Sequence, residues 1–240
     1  MNDKTVRRLI ELNREFYRKV GGEFDRTRRK PWPGWFKLLP YLPEETIRVA
    51  DIGCGNGRFG RFLEENYQGH VEYVGIDSDD MLLKIAQKGL RRMAARFERI
   101  DVLELEKSKV LDDKFEVIGV FGLMHHMPGY ETRVKLLAQL TKKLKKDGVM
   151  IISFWRPDRD ENFAGKIEPW KDDPKIDPTY LEAGDYLLRW NLTKAARYCH
   201  IVSEDELKRL KAELELKVLA EFSGDGKNKK MNDYLIVSSS

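Results

Sequence analysis

Cysteine is nearly absent from this chain of 240 residues, Cys54 and Cys199 being the only two. Two thiols make neither a disulfide framework nor a cysteine-rich metal cluster, and such usage suits a reducing cytoplasm. Apolar runs long enough to cross a bilayer are lacking, as is a secretory leader, so a soluble, cytoplasmic protein without membrane contact is expected. A strong net charge is lacking too, since 44 Lys and Arg stand against 40 Asp and Glu. The charge is unevenly placed. Residues 1–48 hold about 12 basic and 7 acidic side chains, while residues 157–185 are net acidic, a pattern that allows a polyanionic partner. There are no internal repeats. The length suits one α/β domain over residues 46–240, preceded by a helical, basic extension over 1–45 and interrupted by a surface insertion or lid near 156–190.

The chain is organised around Val49 to Gly57, an apolar strand running into a turn with glycine at 53, 55 and 57. Glycine serves where a backbone turns tightly or lets a ligand come close. Gly55, Gly57 and Gly60 also match the dinucleotide pattern G-x-G-x-x-G. Asp51 argues against a dinucleotide, because a carboxylate at the strand end would oppose a pyrophosphate on the following helix N-terminus. S-adenosylmethionine carries a sulfonium and an ammonium and no phosphate, so an acid there favours it. Val71 to Asp77 reads as the next strand, and Asp77 lies where a carboxylate can take the two hydroxyls of a ribose. Asp101 follows a third strand and could accept from an adenine amino group. Each Asp taken alone could instead cap a helix or begin a turn.

Along the chain, residues 3–20 have the spacing of an amphipathic helix ended by Gly21-Gly22, and Pro31 and Pro33 keep Phe24 to Trp35 irregular. Phe36 to Leu42 reads as a further helix. Strands and helices then alternate from Ile47, with helices near 58–67, 79–89 and 131–146 and strands at Phe115 to Phe121 and Gly148 to Phe154, as in a parallel sheet covered on both faces. Lys142, Lys143, Lys145 and Lys146 suit the carbonyl end of a helix stopped by Gly148. Ser203 with Glu206 forms a capping-box helix start. Two strands, Glu215 to Phe222 and Asn232 to Val237, close the chain as a hairpin.

The glycine turn with Asp51, Asp77 and Asp101 resembles the class I methyltransferases, which implies a doubly wound, Rossmann-like, mostly parallel sheet with a C-terminal antiparallel hairpin and helices on both faces. Outside that core, Thr27 to Pro33, His125-His126, Trp155 and Arg197 to His200 resemble, in kind and order, the tRNA methyltransferases that esterify the carboxymethyl group of a wobble uridine. The resemblance implies cofactor contacts from Arg28, Trp32, Asp51, Gly53, Gly55, Gly57, Asp77, Ser78, Asp101, Val102 and Phe121. It further implies substrate positioning by Arg29, His125 and Arg197, and substrate contacts from Arg26, Lys30, His126, Trp155, Tyr198 and His200. tRNA is the implied partner, and several relatives also need a small zinc-binding activator. No metal is expected at the histidines, since no Cys or carboxylate cluster accompanies them in sequence. The polar end of the hairpin and Leu103-Glu104-Leu105-Glu106 depart from the family pattern. Two other readings remain open: a methyltransferase for a small carboxylate or another metabolite, and a tRNA-binding protein that has lost turnover.

Overall fold

A computed structural model describes residues 1–170, 173, 175–190 and 195–238. The glycine turn follows β1 (Ile47–Ile52), and helix α2 (Arg58–Asn66) carries the chain to β2 (Val71–Asp77). Helix α3 (Asp80–Gly89), β3 (Ala94–Arg99), β4 (Phe115–Val120), α4 (Tyr130–Thr141) and β5 (Leu144–Trp155) continue the alternation. After α5 (Glu204–Glu213), strands β9 (Lys217–Gly224) and β10 (Asn232–Ser238) complete a seven-stranded sheet in the order β3-β2-β1-β4-β5-β10-β9. The first five strands run parallel, and β10 pairs antiparallel with both β5 and β9.

Alternation along the strands sorts the core into two layers. Ile47 and Val49 pack with Phe59, Phe62 and Leu63 of α2 and with Trp35 on one face. Ala50 and Ile52 pack with Leu136, Leu137 and Leu140 of α4 and Leu210 of α5 on the other. Strands buried on both sides read as continuous apolar runs, which is why β1, β2 and β4 were legible.

The N-terminal helix α1 (Asp3–Thr27) is longer than expected. Its start is capped by the Asn2 side chain, which accepts from the Thr5 N–H at 2.9 Å. It continues through Gly21-Gly22, where the cost of about 1 kcal/mol for a helical glycine is offset by packing. A Cβ on Gly21 would meet only the terminal methyl of Met81 on α3, an exposed side chain free to move aside, and one on Gly22 would meet nothing within 4 Å. Residues 33–42 form two 3₁₀ turns, Pro33–Lys37 and Leu39–Tyr41, rather than a helix. The expected insertion also holds structure. Within it lie β6 (Ile167–Glu168) and β7 (Asp185–Arg189), which join β8 (Ala196–His200) in a second, antiparallel sheet. Leu9 and Leu12 of α1 pack on Leu187 and Tyr198 of that sheet.

Helix α4 stops at Thr141, earlier than expected, and only Lys142 caps it. Within β5 the pairing with β4 is interrupted between Leu144 and Val149, where Asp147 lies in the left-handed region at φ 62 and a Cβ on Gly148 would lie 2.9 Å from the Lys145 carbonyl. Lys145 pairs with Glu116 at the start of β4, on the sheet edge opposite the glycine turn. Among the described residues, no helix is long and apolar enough to cross a membrane.

Candidate active site

Ligands of open α/β sheets bind beyond the carboxyl ends of the strands. There, β1, β2 and β4 with α1, β8 and the turn at residue 32 enclose a cavity of about 640 Å³, a size ordinary for a small-molecule site. Gly53, Gly55 and Gly57 have φ of +73°, +54° and +73°, which side chains other than glycine adopt only with strain. The Gly53 and Cys54 N–H groups donate to the Ile76 carbonyl, and Gly55 N–H donates to Asp77 Oδ2 at 2.8 Å. A Cβ on Gly57 would strike Ala86 of α3 at 2.8 Å, whereas one on Gly55 would meet nothing within 4 Å. Gly57 therefore serves helix packing, and Gly55 leaves open space on the cavity floor. Gly60 packs against Leu90 and Tyr73 in the core.

Asp51 lines the cavity and accepts from the Tyr73 hydroxyl at 2.5 Å. Burial, with Asp77 nearby, raises its pKa to about 7. Asp77 also rises through burial, against the backbone N–H groups of Asp79 and Gly55. Asp101 lies two residues beyond β3, where it accepts from Leu103 N–H at 2.9 Å and pairs with Arg14 of α1. The cavity is not purely acidic. Arg28 and Arg58 also line it, with the Arg58 guanidinium 4.7 Å from the Trp32 ring centre and 5.3 Å from that of Trp35. Burial, then the charge of Arg28, lowers Arg58 to about 10. A cavity lined by both carboxylates and guanidiniums suits a zwitterion that also bears a sulfonium, so the residues present fit S-adenosylmethionine. With Asp51 in the cavity wall, donor binding is expected to depend on pH. Below pH 7 it is protonated in the free protein, and a bound cation favours its ionised form. Affinity for S-adenosylmethionine should therefore rise with pH by up to about tenfold per unit below 7 and flatten above it; calorimetry showing an affinity independent of pH between 6 and 8 would remove Asp51 from the cation's surroundings.

The other end of the cavity is built by α1, β8 and the segment after β4. Arg197 of β8 reaches into it, with its guanidinium 5.0 Å from the Trp155 ring centre and 5.4 Å from that of Phe16, and donates to the Tyr17 hydroxyl at 3.3 Å. Burial opposes its charge, but Cys199 and Tyr17 keep its pKa above the ordinary value. Among the described residues, no carboxylate pairs with it. His125 is buried with Nδ1 lacking a hydrogen-bond partner, and burial with the charges of His126 and Arg197 holds it well below the usual histidine range. His126 contacts the Tyr17 hydroxyl through Nε2 at 2.8 Å and Asn13 Nδ2 through Nδ1 at 3.1 Å. Burial and Arg197 lower it to about 3, so both histidines are neutral at working pH.

Of the expected residues, Arg28, Trp32, Asp51, Gly53, Gly55, Asp77, Ser78, Asp101, Val102, Phe121, His125, His126, Trp155 and Arg197 line this one cavity. The others stand elsewhere. Gly57 lies beneath the turn, and Lys30 is exposed. Arg26 is held at the surface by Glu23 at 2.5 Å. The Arg29 side chain is 72% exposed and turned to Asp25, outside the residues that line the cavity. Tyr198 is a core residue whose hydroxyl donates to Asp185 at 2.8 Å. His200 is 1% exposed between Asp185 at 2.7 Å and Glu206 at 2.8 Å. Burial would lower its pKa, but the two carboxylates raise it.

The His200 cluster extends to residues that sequence reading missed. Arg133 of α4, 1% exposed, donates to Glu206 Oε1, to Glu182 Oε2 and to the Met127 carbonyl, each at 2.8–2.9 Å. Glu206 thus turns inward, so only the Ser203 half of the capping box forms. This network ties α4, α5 and the second sheet together behind Arg197. Asn13 and Tyr17 were also missed, although polar residues four apart beside the apolar stripe of α1 were a signal. The expectation that no Cys accompanies the histidines fails in three dimensions, since Cys199 brings its sulfur within 4.8 Å of ligand atoms of His125 and His126. The adjacent Arg197 charge opposes a cation at that point.

Comparison with known proteins agrees with this geometry. A protein of Macaca fascicularis named tRNA (carboxymethyluridine(34)-5-O)-methyltransferase ALKBH8 is 28% identical over 67% of this chain, which spans only 22% of that relative's length. The Schizosaccharomyces pombe protein named tRNA (carboxymethyluridine(34)-5-O)-methyltransferase is 26% identical over 84% of this chain and 88% of its own length. The crystal structure of a SAM-dependent methyltransferase from Methanosarcina mazei has the same fold, with a TM-score of 0.63 at 18% identity, covering 87% of this chain and 97% of that one. With a glycine turn, strand-end carboxylates and a seven-stranded sheet of this order already in place, the match of residues 24–221 to the methyltransferase domain model settles the family: the chain belongs to the methyltransferase domain family.

Proposed function

We propose that this methyltransferase uses S-adenosylmethionine to esterify a carboxylate, and that its acceptor is the carboxymethyl group of a modified wobble uridine in the anticodon loop of tRNA. Arg197 is the observation that carries the reading. A guanidinium held in a cavity wall without a carboxylate partner lacks the compensation that buried charges normally have, and its planar fork matches a carboxylate. The names of the relatives in Macaca fascicularis and Schizosaccharomyces pombe support the tRNA substrate.

When bound, S-adenosylmethionine supplies an electrophilic methyl group on its sulfonium. Arg28, Trp32, Asp51, Asp77 and Asp101, with the floor at Gly53 and Gly55, would hold it. A carboxylate acceptor is already ionised at neutral pH, so no side chain has to remove a proton. The neutral state of His125 and His126 is compatible with that requirement, since neither protonates and competes for the anion. Arg197 would orient the acceptor, while His125, Trp155 and Tyr17 wall off water and fix the approach. A single guanidinium is sufficient, because a second tight contact would blunt the nucleophile.

The decisive experiment incubates the protein with labelled S-adenosylmethionine and tRNA from cells lacking the gene, followed by nucleoside mass spectrometry. A methyl ester on a carboxymethylated wobble uridine is expected, and RNase treatment beforehand should abolish labelling. Labelling that survives RNase and appears on a small carboxylate would replace the tRNA reading, and absence of donor binding by calorimetry would remove both.

A further inference from the structure

A polyanion whose reacting group enters the cavity has to cross the carboxyl edge of the parallel strands, so cations there matter and those at the opposite edge, such as Lys145, do not. The cations near the mouth divide by whether a carboxylate already neutralises them. Arg26, Arg29 and Arg189 are paired with Glu23, Asp25 and Glu168. Arg7 and Arg18 of α1 and Arg99 at the end of β3 are exposed, and among the described residues none meets a carboxylate within ion-pair distance. Arg7, Arg14 and Arg18 fall within roughly 40° of one another around α1, at 3.6 residues per turn, and Arg7 and Arg18 are about 16 Å apart along its axis. Arg14, Arg18 and Arg99 also line the cavity.

We propose that this ridge of α1, with Arg99 at the end of β3, is the docking surface for the sugar-phosphate backbone of single-stranded RNA whose extruded base enters the cavity. The proposal rests on the tRNA reading and names its contact surface. Arg7 and Arg18, without an ion-pair partner and about 16 Å apart along α1, can each meet a phosphate of one extended strand, and Arg99, which feels the charge of Asp80, a third, while a cavity of about 640 Å³ admits one unpaired base and no duplex. The surface thereby moves from Arg26 and Arg29, whose charges are taken by Glu23 and Asp25, to the helix that roofs the site. Arg14 shares its charge with Asp101 and contributes less.

The test measures binding of a labelled anticodon stem-loop RNA at several salt concentrations, with S-adenosylhomocysteine affinity measured by calorimetry beside it. The R7A/R18A/R99A variant should bind RNA about tenfold more weakly, with a salt slope shallower by about 2, near 0.7 for each phosphate that is no longer neutralised. Its S-adenosylhomocysteine affinity should fall less than its RNA affinity, although Arg18 and Arg99 also line the cavity. R26A/R29A should change the slope by less than about 0.5. RNA binding of the triple variant equal to wild type, a larger loss in R26A/R29A, or an equal loss of S-adenosylhomocysteine affinity would each overturn the ridge while leaving the tRNA reading intact. Wild-type protein that binds no RNA would overturn both.

Discussion

Replacing Arg197 with Met should lower kcat/KM for the carboxylate acceptor by about 10²- to 10³-fold, the usual loss when a buried charge-assisted contact to a reacting anion is removed. Met fills much of the same volume without the guanidinium that lies over the Phe16 and Trp155 rings, so the fold should persist. S-adenosylhomocysteine affinity should change by less than about threefold, because the carboxylates around the glycine turn are untouched. Steady-state kinetics with calorimetry separates the two effects. An R197M enzyme with wild-type kcat/KM would show that the acceptor's anion is held elsewhere and would withdraw the observation on which the function rests. Lys at 197 should recover only part of the rate, since an ammonium keeps the charge and loses the fork.

The largest effect on stability is expected at Arg133→Met. Arg133 is the shared cation of Glu182 and Glu206. Removing one member of a buried ionic network costs about 3–5 kcal/mol, because its partners stay buried without compensation. For a chain of this size that corresponds to a fall in Tm of about 10 °C. The burial-opposed pKa shifts indicate what the network leaves behind. Glu206, which burial would raise, is held below its ordinary value by His200 and Arg133. Without Arg133 it should take up protons more readily, so R133M should lose less stability at pH 5 than at pH 8. Thermal melts across that range check the sign, and a loss independent of pH would show that the network is not charged as described.

The parallel sheet was readable because its strands are apolar on both faces and its ligand-binding turn announces itself in glycine. The cofactor end of the site was readable for the same reason, since Asp51, Gly53, Gly55 and Asp77 sit within strands and turns whose geometry is local. The acceptor end was harder. Tyr198 and His200 belong to the same short strand as Arg197, yet they point into the core, and only pairing with β7 decides which side chains face the cavity. The N-terminal boundary was misread because Gly21-Gly22 signals a helix end locally, whereas Val20 and Asp25 on either side of the pair are buried against the rest of the protein and carry the helix through. Arg29 looked functional beside Arg28, but its charge is taken by Asp25 one helical turn earlier. Arg133 gave no signal at all, because its partners come from segments 49 and 73 residues away.

The Asn13 side chain accepts from the Tyr198 N–H at 2.8 Å across a sequence separation of 185 residues. Contacts so distant along the chain form only after both segments exist and the intervening loop has closed. During synthesis, therefore, α1 emerges from the ribosome long before the strand it must clasp. The chamber is therefore closed by a clasp between the first helix and a strand near the far end of the chain, so its acceptor end is assembled late.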